Sequence, residues 1–186
     1  MPRIIGGAGK GRRLKAPPGD RTRPTGARVR QTLFDILASV IRDSRFLDAF
    51  AGSGGVGLEA LSRGAARVVL VDESRGAVDA VRANLALLAP DATGVDVRQK
   101  DARAAVAELR DRGERFDVVS LDPPYGSDLY EPLLSLAEGI LAEDGVIVAE
   151  HFHKRALPER MGGLVNTRSV RVGDHKLTFY RRRSAD

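Results

Sequence analysis

Phe116-Asp117-Val118-Val119-Ser120-Leu121 runs directly into Asp122-Pro123-Pro124-Tyr125. The first six residues are an apolar, β-branched run, the pattern of a buried strand. Two prolines in succession supply no ladder N–H and cannot continue a central strand. The chain therefore leaves the sheet at the strand's carboxyl end, presenting an acid, a rigid turn and an aromatic ring. In open α/β sheets, ligands bind at that edge.

These four residue types suit one chemistry. An amino group on an aromatic base is a poor nucleophile, because its lone pair is delocalised into the ring. A carboxylate and a carbonyl that accept its two N–H groups return electron density to nitrogen. Asp122 can supply the carboxylate and Pro123 the carbonyl, whose direction the proline rings restrict. Tyr125 can stack on the base. A plain Pro-Pro turn with a core tyrosine and a helix-starting Asp122 would use the same residues, so the surrounding chain has to decide.

Outward from this stretch, the chain alternates strand and helix. Phe46–Ala51 is expected as the first strand of the sheet. It is followed by Gly52-Ser53-Gly54-Gly55-Val56-Gly57 and a helix beginning at Leu58. A G-x-G-x-x-G loop between strand and helix allows a tight turn and close approach to a ligand. Arg67–Asp72 is the second strand and ends in an acid placed for ribose hydroxyls, 20 residues after Gly52. A helix is expected over Ser74–Ala89, a short strand over Val95–Gln99, and a helix over 102–112 with Asp101 as its N-cap. Asp101 also stands where an adenine-binding acid would be expected. Asp128–Leu141 reads as a helix and Gly145–Glu150 as a fifth strand. Residues 163–183 read as two antiparallel strands joined near Gly173-Asp174. The regular alternation predicts an α/β fold, a doubly wound, mostly parallel seven-stranded Rossmann-like sheet that ends in an antiparallel hairpin.

The amino-terminal part is different. Arg3–Gly7 and Arg12–Lys15 bracket a glycine-containing turn, the pattern of a small basic hairpin, and Pro17-Pro18-Gly19-Asp20 breaks it. Thr25 is positioned to cap a helix whose apolar stripe is Val29, Leu33, Ile36, Leu37, Val40 and Ile41. This divides the chain into a basic extension, 1–26, and a main domain, 27–186.

Charge follows the same division. Residues 1–45 carry a net +8, residues 46–153 a net −9 and residues 154–186 a net +6. Basic ends around an acidic middle are the footprint of a face that binds a polyanion, here nucleic acid. The 186 residues contain no cysteine, which excludes disulfides and thiolate chemistry. Three histidines, His151, His153 and His175, lack a third ligand pattern, so no metal is expected. There is no signal-peptide pattern and no apolar run near the ~18 residues a membrane span needs, so a cytoplasmic location is expected.

Taken together, the glycine loop, the acids after the second and third strands and the Asp-Pro-Pro-Tyr tetrapeptide resemble the class I S-adenosylmethionine-dependent methyltransferases. The tetrapeptide marks those that methylate planar amino groups. The segments Arg3-Ile-Ile-Gly-Gly7, Arg23-Pro-Thr25, Arg28-Val-Arg-Gln-Thr-Leu-Phe34, Asp48-Ala-Phe-Ala-Gly-Ser-Gly54 and Gly57-Leu-Glu-Ala-Leu-Ser-Arg63 resemble the RsmD family more narrowly, from Arg3 to about Arg181. Those enzymes methylate the 2-amino group of one guanine of 16S ribosomal RNA, position 966 in the customary rRNA numbering.

The resemblance implies S-adenosylmethionine as cofactor, S-adenosylhomocysteine as product, and 16S rRNA in an assembling small ribosomal subunit as partner, with a monomer as the enzyme. By position it implies that Gly52, Ser53, Gly54 and Gly57 pass under the methionine part of the cofactor, with Asp48 near its amino group. Asp72 would bind the ribose, and Asp101 with Ala102 the adenine. Asp122 and Pro123 would accept the amino protons, and Tyr125 would stack on the guanine. Arg3, Lys10, Arg12, Arg23, Arg28 and Arg30 would meet RNA phosphates. Gln31 departs from the glutamate the family often carries there. The alternatives are a DNA amino-methyltransferase, a non-catalytic RNA-binding ribosome-assembly factor and, more remotely, a dehydrogenase, which has no use for the tetrapeptide.

Overall fold

The computed structural model describes residues 2–16, 26–124 and 126–183. Arg23, Thr25 and Tyr125 lie outside the described residues. The described chain forms α1 (Ala27–Ile36), β1 (Arg45–Asp48), α2 (Gly57–Ser62), β2 (Arg67–Asp72), α3 (Arg75–Leu88), β3 (Val95–Gln99) and α4 (Ala102–Asp111). It continues through β4 (Phe116–Leu121), α5 (Tyr130–Glu138), β5 (Leu141–Phe152), β6 (Arg160–Met161), β7 (Leu164–Val172) and β8 (His175–Arg182).

These strands make one sheet in the order β3-β2-β1-β4-β5-β8-β7-β6. The pairs from β3 to β5 are parallel, and β8, β7 and β6 add on antiparallel. Strand alternation sends successive side chains to opposite faces, and both faces are covered. On one face Phe46, Val68, Leu70, Val118, Val148 and Phe179 pack with α1 (Leu33, Phe34), α2 (Leu58) and α3 (Val81). On the other, Leu47, Val69, Val119 and Ile147 pack with α4 (Leu109) and α5 (Leu133). This double covering explains why the central strands β2 and β4 read as near-continuous apolar runs.

Strand β4 and the closing hairpin fall where the residue patterns place them. Several boundaries differ, and the first strand ends at Asp48 rather than Ala51, where the chain already turns toward the glycine loop. The fifth strand begins at Leu141 rather than Gly145 and reaches Phe152, because Leu141 pairs with Phe116 across an irregularity in the β4 ladder. The preceding helix is correspondingly shorter; Ile140 and Leu141 belong to the core without being helical. Helix α1 ends at Ile36, where only turns follow, although Leu37 and Ile41 stay buried. The two-residue strand β6 makes the sheet eight-stranded; so short a segment leaves no periodicity to read.

The basic amino-terminal segment is a hairpin-like loop laid on the helices. Arg3 and Arg13 form an antiparallel bridge, and the Leu14 N–H donates to the Pro2 carbonyl at 2.8 Å. Ile4 and Leu14 are each 1% exposed and join the α1–α3 core. Glu59, with no exposure, accepts the Ile5 and Gly6 N–H groups, each at 2.7 Å. Ser62 Oγ accepts the Gly9 N–H at 2.8 Å and donates to the Gly6 carbonyl at 2.6 Å.

Candidate active site

Strand order reverses beside β1: the chain proceeds outward through β2 and β3, then returns to place β4 on the other side. Such a switch point opens a crevice at the carboxyl ends of the strands. The glycine loop leaves β1 there, and Asp122-Pro123-Pro124 leaves β4 there, with Asp48 and Ser120 paired in register just below. Asp72 closes β2, and Asp101 follows β3 by two residues. The structure thus brings four acids from four strand ends to one edge of the sheet.

Each acid is held differently. Asp72 accepts the Gly52 N–H on Oδ2 and the Ser74 N–H on Oδ1, both at 2.9 Å, so it ties the glycine loop to the start of α3. Asp101 accepts the Ala104 N–H at 3.0 Å and caps α4, with Ala102 buried at the first turn. Asp48 is 2% exposed, and its Oδ2 accepts the Gly57 N–H at 2.9 Å. Burial pushes its pKa up to about 7. The Gly57 and Phe50 N–H groups oppose the rise, while Asp72 and Glu150 add to it. Asp122 is half-buried beside a buried Pro123 and an exposed Pro124, whose carbonyl accepts the Ser127 N–H at 3.1 Å. The Arg155 guanidinium steadies this turn, donating to the Ser127 carbonyl at 2.7 Å and lying 4.7 Å over the Tyr130 ring.

The raised Asp48 pKa fixes the sign of a pH effect. Between about pH 4 and pH 7 the folded chain retains a proton that the unfolded chain has released. This carboxyl's contribution to stability is therefore lost as pH rises through that window. Urea unfolding followed from pH 4.5 to 7.5 is expected to show a downward stability slope that Asp48→Asn flattens; an unchanged slope in the variant would exclude Asp48 as its source.

The glycine loop is built for a close neighbour. Gly52 and Gly54 have φ of +53° and +85°, in the left-handed region that side chains disfavour. A Cβ on Gly52 would point into open space, whereas one on Gly57 would lie 2.6 Å from Leu70 Cδ2. Gly57 thus serves the loop from inside, through packing and its bond to Asp48.

Arg3, Lys10, Arg12 and Arg28 are exposed. Arg12 also donates to the Leu87 and Leu88 carbonyls, at the negative end of α3. Arg30 departs from the expectation of a phosphate contact. It is 2% exposed, its Nη2 donates to the Arg3 carbonyl at 2.8 Å, and its Nη1 lies under Gly55. Burial holds its pKa below the ordinary arginine value, with Glu59 and Glu150 opposing the shift. It sits inward because it lies next to Val29 and within one turn of Leu33 on the helix face that packs on the body. Glu59, Asn84 and Glu150, all buried and polar, escaped the sequence reading. Asn84 left a signal: it interrupts the apolar stripe Val78, Val81, Leu85, Leu88.

A family model described as Conserved hypothetical protein 95 matches residues 2–181. Ribosomal RNA small subunit methyltransferase D of Escherichia coli (strain K12) is 41% identical over 158 residues, 84% of this chain and 77% of its own length. The chain belongs to this family, the RsmD family. Another member, the methyltransferase D of Haemophilus influenzae, is 37% identical over 72% of this chain and 69% of its own. Among solved structures, the Escherichia coli yhhF protein superposes with a TM-score of 0.83 at 37% identity, covering 98% of each chain. The RsmD-family match starts at the basic hairpin, so the amino-terminal segment and the sheet belong to one family pattern. Among the described residues no helix is long and apolar enough to cross a membrane, and no three His, Cys, Asp or Glu side chains group as a metal site.

Proposed function

We propose that this chain is a cytoplasmic rRNA methyltransferase that moves a methyl group from S-adenosylmethionine to the exocyclic 2-amino group of a guanine in 16S rRNA, position 966 in the customary numbering. The observation that carries this reading is the Asp122-Pro123-Pro124 turn leaving β4 directly beside the glycine loop that leaves β1. The names of the relatives, ribosomal RNA small subunit methyltransferases, support the substrate class.

The residues fit the cofactor by the chemistry of their donors. Open space at Gly52 leaves room over the loop, and Asp72 and Asp101 place carboxylates at neighbouring strand ends for hydroxyl and amino groups. Asp48 lies beneath the loop, where a cation would favour its ionised form. When bound, S-adenosylmethionine supplies an electrophilic methyl group on a sulfonium. Asp122 and the Pro123 carbonyl would accept hydrogen bonds from the two amino N–H groups of the flipped-out guanine, and Tyr125 would stack on its ring. As the nitrogen takes the methyl group, the C–S bond breaks to leave a neutral thioether and one N–H proton passes to Asp122 or water. Asp122 need not be a strong base, since the nitrogen becomes acidic only as its new bond forms. Alignment supplies most of the acceleration. Arg3, Lys10, Arg12, Arg23 and Arg28 would meet phosphates. A chain of this size has little surface for reading RNA sequence, so the shape of an assembling small subunit would carry much of the specificity. The enzyme would act as a monomer.

The test is transfer from labelled S-adenosylmethionine to unmodified small subunits, followed by nucleoside analysis. Label in 2-methylguanosine supports the reading. Label on DNA alone would transfer it to a DNA methylase, and cofactor binding with no label anywhere would overturn the substrate. A second expectation separates the two duties of Asp101. Asp101→Ala removes the α4 cap, at a cost of about 1 kcal/mol in stability. It also weakens S-adenosylhomocysteine binding by about tenfold, the worth of a hydrogen bond to a charged group. Melting and ligand titration measure the two separately; lost stability with unchanged affinity would leave Asp101 a cap alone.

A further inference from the structure

The basic segment and the glycine loop meet through one buried side chain. Asn84, on the inner face of α3, has no exposure. Its Oδ1 accepts the Lys15 N–H at 2.7 Å. Its Nδ2 donates to the Lys15 carbonyl and to the Ser53 carbonyl, both at 2.9 Å. Both amide hydrogens are thereby used, one on each segment. Ser53 sits between Gly52 and Gly54, the two left-handed residues of the loop. A second bridge runs parallel to the first: Arg30 donates to the Arg3 carbonyl while its guanidinium fills the space beneath Gly55.

We infer that Asn84 is a positioning residue that couples the RNA-contacting segment to the cofactor loop, so that filling either site raises affinity at the other. This rests on the function proposed above. The physical reason is that a buried amide cannot lose a partner cheaply. If the loop turns the Ser53 carbonyl away, Asn84 must reorient, and the Lys15 backbone loses one of its two bonds. Loop and segment therefore keep their ordered positions together. A ligand that selects the ordered loop also selects the docked segment, because it binds that joint state better than the alternatives. Coupling of this kind is reciprocal: the factor by which RNA tightens cofactor binding equals the factor by which cofactor tightens RNA binding.

The experiment measures S-adenosylhomocysteine binding by equilibrium dialysis, with and without saturating unmodified small subunits. In the wild type, subunits are expected to tighten binding by about tenfold, within the usual range of coupling. Asn84→Asp keeps the acceptor for the Lys15 N–H but sets a charge against two carbonyls. In a variant that still melts cooperatively, the ratio is expected to fall below about twofold. A purely structural asparagine would shift both affinities and leave their ratio intact, and that result would overturn the inference. Hydrogen exchange on the wild type covers the case of a variant that does not fold. S-adenosylhomocysteine is expected to slow exchange of the Lys15 amide, and an unchanged rate there would overturn the inference as well. A wild-type chain that binds the ligand but transfers no methyl group to subunits would instead sink the underlying function.

Discussion

Asp122→Ala is expected to lower methyl transfer to unmodified small subunits by roughly 10²–10⁴-fold, the range for a positioned proton acceptor. Affinity for S-adenosylhomocysteine should stay near that of the wild type, because the proposed role of Asp122 is toward the guanine amino group, while Asp72 and Asp48 hold the glycine loop. Urea unfolding of the variant reads any change in stability separately from the rate, the side chain being half-buried at a strand end. The assay is single-turnover label transfer with enzyme in excess, so that subunit release does not mask the chemical step. Asp122→Asn sharpens the result. It keeps an oxygen for one amino proton but no charge, so it should retain more activity than alanine and less than the wild type. Near-normal turnover of the alanine variant would remove Asp122 from the mechanism.

The second large effect concerns folding. Glu59→Ala is expected to destabilise the chain by roughly 3–5 kcal/mol, the cost of breaking a buried, paired charge. The carboxylate is fully buried, accepts the Ile5 and Gly6 N–H groups, and pairs with Arg63 Nε at 2.8 Å. Its removal leaves two backbone donors unmet and the nearby buried Arg30 with less opposing charge. Since a domain is commonly stable by only ~5–15 kcal/mol, this is a large part of the total. Urea denaturation measures it. A loss under about 1 kcal/mol would mean that the segment is not anchored by this residue. Glu59→Gln keeps the acceptor oxygen and should fall between the two.

How far the sequence could be read depended on whether the signal was local. Asp122 follows an apolar run and precedes two prolines, so its strand and its edge are legible from ten residues. Asp72 and Asp101 were legible for the same reason, as acids at strand ends. Arg30 was not. A basic residue near a helix start looks like a phosphate ligand, and only the packing of Phe34 and Leu33 against the sheet shows that this position faces inward. Glu59 was hidden because the backbone groups it anchors, Ile5 and Gly6, lie more than fifty positions away in sequence. Tyr125 lies outside the described residues, so its part in the site remains with the proposal.

The same distances set an order of events during synthesis. Residues 3–15 leave the ribosome before the helices they dock on: the Glu59 bond to Ile5 spans 54 positions and the Asn84 bond to Lys15 spans 69. This segment must therefore wait, undocked, until Asn84 has been made. Its make-up suits that interval: glycine, arginine and lysine are common, and Ile4, Ile5 and Leu14, with Met1 just before it, are its few large apolar side chains. A nascent arm of this kind offers little for other chains to stick to. Replacing its exposed glycines, Gly7 and Gly11, with apolar residues would be felt as a loss of soluble yield.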